Sequence, residues 1–136
     1  MISPNYPNDY DQNVDCQVTL TFEYRILLVF ESFSLYVESS NCGYSSDWLE
    51  IHDGSDSDSD IIGSKLCGYD IPSPIESSGK SLTLVFHSNE KADRKGFKIM
   101  ADHGKYLFRM ESYNLYSIFK HILLVFFTVY YVQFQT

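Results

Sequence analysis

Residues 41–54 read NCGYSSDWLEIHDG, and this stretch decides the fold. After a cysteine and a polar segment, Leu49 and Ile51 occupy every second position. Successive side chains of a β-strand point to opposite faces of a sheet, so this alternation predicts a strand with one face on a core. Asp53-Gly54 then predicts the turn that ends the strand.

The same alternation recurs on both sides of that stretch. Turn signals separate the apolar segments, among them Cys67-Gly68 and Ser78-Gly79-Lys80. No helical stripe competes with the strand pattern, which favours an antiparallel β-sandwich. The apolar positions of the strands form the predicted core: Leu20, Phe22, Leu28, Phe30, Phe33, Leu49, Ile51, Leu82, Leu84, Phe86 and Phe97.

Length and charge narrow the class of protein. At 136 residues the chain is long enough for one domain with one core. The formal net charge of −8 excludes a general nucleic-acid binder, which needs basic side chains to neutralise phosphates. It suits partners that present Lys or Arg, or divalent cations, although an acidic surface that only confers solubility is the commoner explanation.

Motifs for catalysis are missing from the sequence. There is no H-E-x-x-H and no G-x-S-x-G, and His52 and His87 lie on the polar phase of their strands. We therefore predict that the chain is not an enzyme. The acidic run 55–60 (SDSDSD) lacks the Gly and the distal Glu of an EF-hand loop and predicts a solvated loop. Trp48 suits either a binding surface or packing under a neighbouring loop.

The cysteines indicate an oxidising compartment. Cys16, Cys42 and Cys67 are too widely spaced for a zinc ribbon, and an odd number suggests one disulfide and one remaining thiol. The first ten residues lack the features of a signal peptide. These observations agree if the domain and its export signal begin upstream.

Residues 103–136 differ in character from the strands before them. They are rich in aromatic residues without clear periodicity, and residues 122–132 (ILLVFFTVYYV) are apolar except for one Thr. Eleven residues are about half of the roughly 20 that a membrane-spanning helix needs. Three interpretations stay open for this tail: a membrane segment, an element packed on this domain or a neighbour, or residues outside the folded unit, such as an over-extended gene model.

Taken together, the motifs resemble those of the CUB domain family. The resemblance covers roughly residues 2–102 and rests on segments in the family's order: SPNYPNDY (3–10), Cys16, ILLVFESFSL (26–35), Cys42, DWLEIHDG (47–54), Cys67-Gly68, LTLVF (82–86) and Gly96-Phe97. The family's fold is a ten-stranded antiparallel jelly-roll sandwich, which agrees with the strand pattern.

The resemblance implies how the cysteines pair. Cys42 and Cys67 match the family's third and fourth cysteines and are the expected disulfide. Cys16 matches the second, whose usual partner would precede Met1. We therefore expect an all-β domain at 2–102 that lacks its first strand, with Cys16 unpaired. A buried free thiol at Cys16 is equally compatible with the sequence.

The resemblance also implies a candidate Ca²⁺ site. The family's ligand positions fall on Glu38, Asp47 and Asn89, with Tyr10 holding the acidic groups by hydrogen bonding. Three departures weaken the match: Glu38 and Asp47 are displaced relative to Cys42, and Asn89 replaces an acid. Asn supplies a carbonyl oxygen but removes a negative charge, which lowers affinity. The alternative is a polar loop cluster that binds nothing, and Glu90 or Asp93 could supply a substitute carboxylate.

The function implied by the resemblance is binding. CUB modules occur in extracellular and plasma-membrane proteins, where they bind other proteins and do not catalyse. We expect a secreted module or an ectodomain of a membrane protein, with Ca²⁺ as a cofactor and protein partners that present Lys or Arg. The alternative is an accessory module of a secreted protease whose catalytic domain lies outside this chain. The apolar run 122–132 leaves membrane association open.

Overall fold

The computed structural model describes residues 1–38, 41–91 and 93–103, and these residues contain six β-strands. The strands are β1 (Asp15–Thr21), β2 (Ile26–Ser34), β3 (Trp48–His52), β4 (Ile75–Glu76), β5 (Ser81–His87) and β6 (Gly96–His103). The expected tail lies outside the described residues except for His103, and so does the apolar run 122–132. In the described ranges, no helix has the length and apolar character needed to cross a membrane.

The strands form two antiparallel sheets. One sheet has the order β1-β5-β3, and the other has the order β4-β2-β6. Strands far apart in sequence are therefore neighbours: Cys16 pairs with Phe86, and Phe33 pairs with Phe97. The antiparallel sandwich predicted from the alternation is confirmed.

The core lies between the sheets, where the predicted apolar positions meet. Ten of the eleven predicted core residues are buried, and Phe22 is only partly buried against them because β1 ends at Thr21. Aromatic rings cross the core in contact with each other: Phe86 lies 5.6 Å from Phe97 and 5.3 Å from Tyr10, both edge to face. Edge-to-face contacts suit the ring quadrupoles and lock these side chains in place.

A register shift in β2 places both of its apolar halves on the core. The pairing with β6 slips between Phe30 and Ser32, which leaves Glu31 as an extra residue. A bulge of this kind changes the phase of the alternation. Phe30 and Phe33 consequently both point inward, although three positions separate them, and each is 5% exposed.

The N-terminal segment runs beside β6 and anchors the residues that lead to Tyr10. The N–H of Ser3 donates to the carbonyl of Phe97 at 3.0 Å, and Ser3 Oγ accepts from the Phe97 N–H at 3.0 Å. Gly96 makes this approach possible, since its φ is +81° and an added Cβ would lie 1.9 Å from Ser3 Oγ. Any other residue at position 96 would push the segment away from the strand.

Candidate functional site

Three loops meet at one end of the sandwich, and we call this region the corner. They are the segment after β2 with Tyr36 and Glu38, the segment before β3 with Ser46 and Asp47, and the β5–β6 loop that begins at Ser88. The backbone ties the first two together, because the Asp47 N–H donates to the Tyr36 carbonyl at 2.9 Å. The corner therefore brings together residues that lie up to about fifty positions apart in sequence.

Asp47 is the centre of the corner. Its residue is fully buried, with 0% of its surface exposed. Oδ2 accepts a hydrogen bond from the Tyr10 hydroxyl at 2.6 Å, and Oδ1 accepts from the backbone N–H of Asn89 at 2.7 Å. Among the described residues, the ion pairs within 4 Å do not include this carboxylate. A buried carboxylate is thus held by neutral donors alone, which is an arrangement that attracts a cation.

Tyr10 connects the corner to the core. Its ring packs on Phe86, and its hydroxyl donates to Asp47 and accepts from the Tyr36 N–H at 2.9 Å. Burial raises the pKa of Tyr10 well above its usual value, and the hydrogen bond to Asp47 and the negative charges of Asp47 and Asp93 raise it further. The hydroxyl therefore stays protonated and acts as a permanent donor to the carboxylate.

Glu38 is the exposed acidic residue of the corner. Its residue is exposed, and its backbone N–H donates to Ser46 Oγ at 3.2 Å. Ser46 itself is buried and directly precedes Asp47. No role for Ser46 was predicted from the sequence, yet it joins two of the candidate ligand segments. A signal was available in the sequence, since Ser side chains commonly bond to nearby backbone groups in turns.

Asn89 belongs to the β5–β6 loop and contacts the corner through Ser46 and Asp47. Its Nδ2 donates to the Ser46 carbonyl at 3.0 Å, and because a carbonyl only accepts, this contact fixes the orientation of the amide. Oδ1 then faces His87, whose Nε2–H donates to it at 3.0 Å. Binding of a cation through the Asn89 oxygen would require that the hydrogen bond to His87 be exchanged.

The donor chemistry of the corner fits a Ca²⁺ site of low charge. A carboxylate has about four lone-pair positions, and Asp47 uses two of them for Tyr10 and Asn89. Ca²⁺ takes six to eight oxygens, and the carboxylates of Asp47 and Glu38 and the amide oxygen of Asn89 are ligands of the kind it prefers. Within the described ranges, no group of three or more His, Cys, Asp and Glu side chains is placed to hold a metal ion. Asn89 stands where the family has an acid, so one of the three expected carboxylates is missing, and this agrees with the absence of such a group from the described ranges.

One side of the corner is fastened by a disulfide. Cys42 and Cys67 are bonded with a Cα–Cα distance of 5.7 Å, which confirms the predicted bridge. It joins the loop before β3 to the segment at Gly68, whose carbonyl accepts from the Leu35 N–H at 2.9 Å. The 25-residue separation corresponds to about 3 kcal/mol in the chain-entropy model, so the bridge limits the freedom of the loop that carries Asp47.

Cys16 is a free thiol on β1, 8% exposed. Burial raises its pKa to about 11, and the charge of Asp15 acts in the same direction. A thiol with such a pKa is a poor nucleophile at neutral pH.

Trp48, His52 and His87 lie on the outer face of the sheet β1-β5-β3. The Trp48 ring stacks on His87 with centroids 5.1 Å apart, and Lys65 Nζ lies 3.7 Å from the ring centre. The packed alternative for Trp48 is therefore the better description. His52 has the polar phase that the sequence predicts, yet it is only 5% exposed, because Nδ1 donates to the Ser59 carbonyl at 2.8 Å and the 55–60 loop covers it.

Comparison with known proteins identifies the family. A sequence profile of the CUB domain matches residues 1–100. The chain belongs to the CUB domain family. CUB domains are extracellular protein-interaction modules and are typically non-catalytic. The strands and the disulfide described above agree with this assignment.

Relatives by sequence are long proteins of which this chain matches a small part. Human tolloid-like protein 1 is 38% identical over 97 residues, which is 70% of this chain and 9% of that protein. The cubilin homolog of Drosophila melanogaster is 34% identical over 101 residues, which is 73% of this chain and 3% of that protein.

Solved structures confirm the jelly-roll sandwich. The chain resembles the MASP-1 CUB2 domain bound to Ca²⁺, with a TM-score of 0.63 and 27% identity over 74% of this chain and 88% of that one. It also resembles the full extracellular region of zebrafish Gpr126/Adgrg6, with a TM-score of 0.60 and 27% identity over 74% of this chain and 13% of that one.

Proposed function

We propose that this CUB domain is a calcium-dependent, non-catalytic module that binds a Lys or Arg side chain of a protein partner at the corner. The observation that carries the proposal is the buried Asp47 carboxylate, which is bonded only to neutral donors. The preceding residue, Ser46, accepts a hydrogen bond from the backbone N–H of the exposed Glu38. The binding unit is the domain at residues 2–102.

Calcium would serve two purposes at the corner. Two carboxylates without a cation repel each other, so an ion held by Asp47 and Glu38 would remove that repulsion and stabilise the loops. Exposed carboxylate oxygen on Glu38 would remain available to a basic side chain of the partner. The solved MASP-1 CUB2 domain bound to Ca²⁺ supports the choice of ion, since the two chains share their fold.

The expected positive charge of the partner follows from the negative charge of this chain. The chain carries a net charge of −8, and acidic surfaces steer basic partners toward them. An Arg or Lys presented on a protein loop would meet carboxylate groups on loops that are joined by hydrogen bonds, one of them also held by the disulfide. Rigid loops lower the entropy lost on binding.

Calcium titration of the full chain by calorimetry tests the proposal. Wild type should bind Ca²⁺, Asn89→Asp should bind about tenfold more tightly because it restores a charge, and Glu38→Gln should bind about tenfold more weakly. Asp58→Asn is the matched control, because it removes one acid from the exposed 55–60 loop instead of from the corner. Its affinity should equal that of wild type. Absence of heat from both wild type and Asn89→Asp would refute the proposed function.

A further inference from the structure

The outer edge of β1 is an open sheet edge. Four strands lie at the edges of the two sheets, namely β1, β3, β4 and β6. β3 is covered by bridges to Ile61 and Leu66, β6 is covered by a bridge to Ile2, and β4 has only two residues. Among the described residues, β1 is therefore the only long edge strand, with seven residues, that has no neighbour on its outer side.

The backbone of β1 presents hydrogen-bonding groups along this edge. The Val14 carbonyl accepts from the Ser88 N–H at 2.8 Å. The Phe22 N–H donates to the Lys80 carbonyl at 2.9 Å, so even positions face β5 at both ends of the strand. Backbone groups of successive residues point to opposite sides of a strand, so the odd positions face outward. The outward groups are the N–H and the carbonyl of Asp15, Gln17, Thr19 and Thr21.

β1 also lacks the features that normally prevent an edge strand from pairing with another molecule. Edge strands are commonly protected by Lys, by Pro or by a bulge. The sequence of β1, DCQVTLT, contains neither Lys nor Pro, and its register with β5 is continuous. Its only charged residue, Asp15, lies at its first position and contacts His87 Nδ1 at 2.6 Å. The edge is consequently almost uncharged, on a chain with a net charge of −8.

We propose that β1 pairs with β1 of a second copy of this chain, antiparallel and centred on Val18. In this register Asp15 lies opposite Thr21 of the second copy, and Gln17 lies opposite Thr19. All outward N–H and carbonyl groups then find partners, which gives about eight hydrogen bonds between the two copies. The two Val18 side chains, each only partly buried against the core, contact each other.

The charges and the symmetry of this register suit a second copy. The two Asp15 carboxylates would lie six positions apart along the paired strands, which is about 20 Å. This distance exceeds the screening length of about 8 Å at physiological salt, so their repulsion is small. Because the same surface serves both copies, the contact closes as a dimer with one continuous six-stranded sheet. The contact uses no residue of the corner and does not rest on the proposed function.

Sedimentation velocity of the full chain over a concentration series tests the proposal. Wild type should pass from monomer to dimer with a dissociation constant of about 10–100 µM, as expected for a contact smaller than a standard interface. Gln17→Pro removes an outward N–H and leaves the bonds to β5 intact, so it should weaken the dimer at least about tenfold. Gln17→Ala is the matched control, because it keeps that N–H, and it should dimerise like wild type.

Cross-linking tests the register and does not depend on the folding of Gln17→Pro. Val18→Cys places a thiol where the two copies meet, at the Cα–Cα distance of about 4.5 Å that a non-hydrogen-bonded pair has. Mild oxidation should therefore yield a disulfide-linked dimer. Glu23→Cys is the control, because its two copies would lie far apart beyond the ends of the paired strands, and it should stay largely monomeric. Both variants carry Cys16→Ala, so that each has one free thiol.

Three results would overturn the proposal. A wild-type chain that stays monomeric up to about 500 µM would show that copies do not pair, as would be the case if another segment covered β1. Equal association of wild type and a folded Gln17→Pro, with folding checked by urea denaturation, would place the contact elsewhere in the chain, such as at the apolar run 122–132. Equal cross-linking of Val18→Cys and Glu23→Cys would exclude the register. If Gln17→Pro did not fold, the cross-linking result would decide.

Discussion

Removal of the Tyr10 hydroxyl should destabilise the domain far more than the loss of one oxygen suggests. The change Tyr10→Phe keeps the ring, so the edge-to-face contact with Phe86 and the packing volume are preserved. It removes the donor to the Asp47 carboxylate and the acceptor of the Tyr36 N–H. Water reaches Asp47 poorly, since it is fully buried, whereas the Tyr36 N–H is partly buried.

The magnitude follows from the two lost hydrogen bonds. A hydrogen bond to a charged group contributes about 1.5–3 kcal/mol, and a buried donor left without a partner costs about 1–3 kcal/mol. Partial relaxation of the corner lowers their sum, and we expect the free energy of unfolding to fall by about 3 kcal/mol. Domains of this size are stable by about 5–15 kcal/mol, so the variant should still fold.

Urea denaturation of the full chain measures the change. With a slope of about 1.5 kcal/mol per molar urea, the midpoint should fall by roughly 2 M without a change in slope. Tyr44→Phe is the control, because it removes the same atom from a fully exposed side chain and should stay within about 0.5 kcal/mol of wild type. If the two variants had the same midpoint, the Tyr10 hydroxyl would not bridge buried groups, and our description of the corner would be wrong.

Two further predictions concern ionisation. The pKa of Tyr10 is raised in the folded state, so above about pH 10 the unfolded chain loses a proton that the folded chain keeps. This group should then lower the free energy of unfolding by up to about 1.4 kcal/mol per pH unit. Urea unfolding of wild type and Tyr10→Phe at pH 9 and pH 11 measures the effect, because the stability difference between the two should shrink at the higher pH. Cys16, with a pKa of about 11, should react with a chromogenic disulfide reagent at pH 8 over a hundredfold more slowly in the native chain than in denaturant, and equal rates would contradict its burial.

The sandwich was predictable because alternation encodes burial directly. Leu49 and Ile51 in β3, and Leu84 and Phe86 in β5, lie two positions apart, and all four are buried as that period requires. Alternation alone does not explain β2, because Phe30 and Phe33 are an odd number of positions apart and yet both point inward. The bulge at Glu31 accounts for this change of phase. β4 was not predicted, because two residues are too few to show any period.

The corner was only partly predictable, because its ligand positions come from a family resemblance and its contacts from tertiary packing. The sequence and that resemblance indicated Asp47 and Tyr10, and the structure joins them by a hydrogen bond. Neither indicated that Ser46 would tie Glu38 to Asn89 through its hydroxyl and its carbonyl. Such links depend on how three loops meet, and no local pattern records that.

Local charge, rather than net charge, should set the strength of this corner. The chain as a whole is strongly acidic, which favours the approach of cations over long distances. Close to Asp47, however, Asn89 stands where a further acid would add charge, and the Lys91 ammonium group donates to the hydroxyl of Tyr36. Asp93 compensates little, because its carboxylate pairs with Arg94 at 3.1 Å. The neutral Asn89 and the positive charge of Lys91 weaken the attraction for a cation at short range, so we expect a partner to bind through contacts around the corner as well as through its charge.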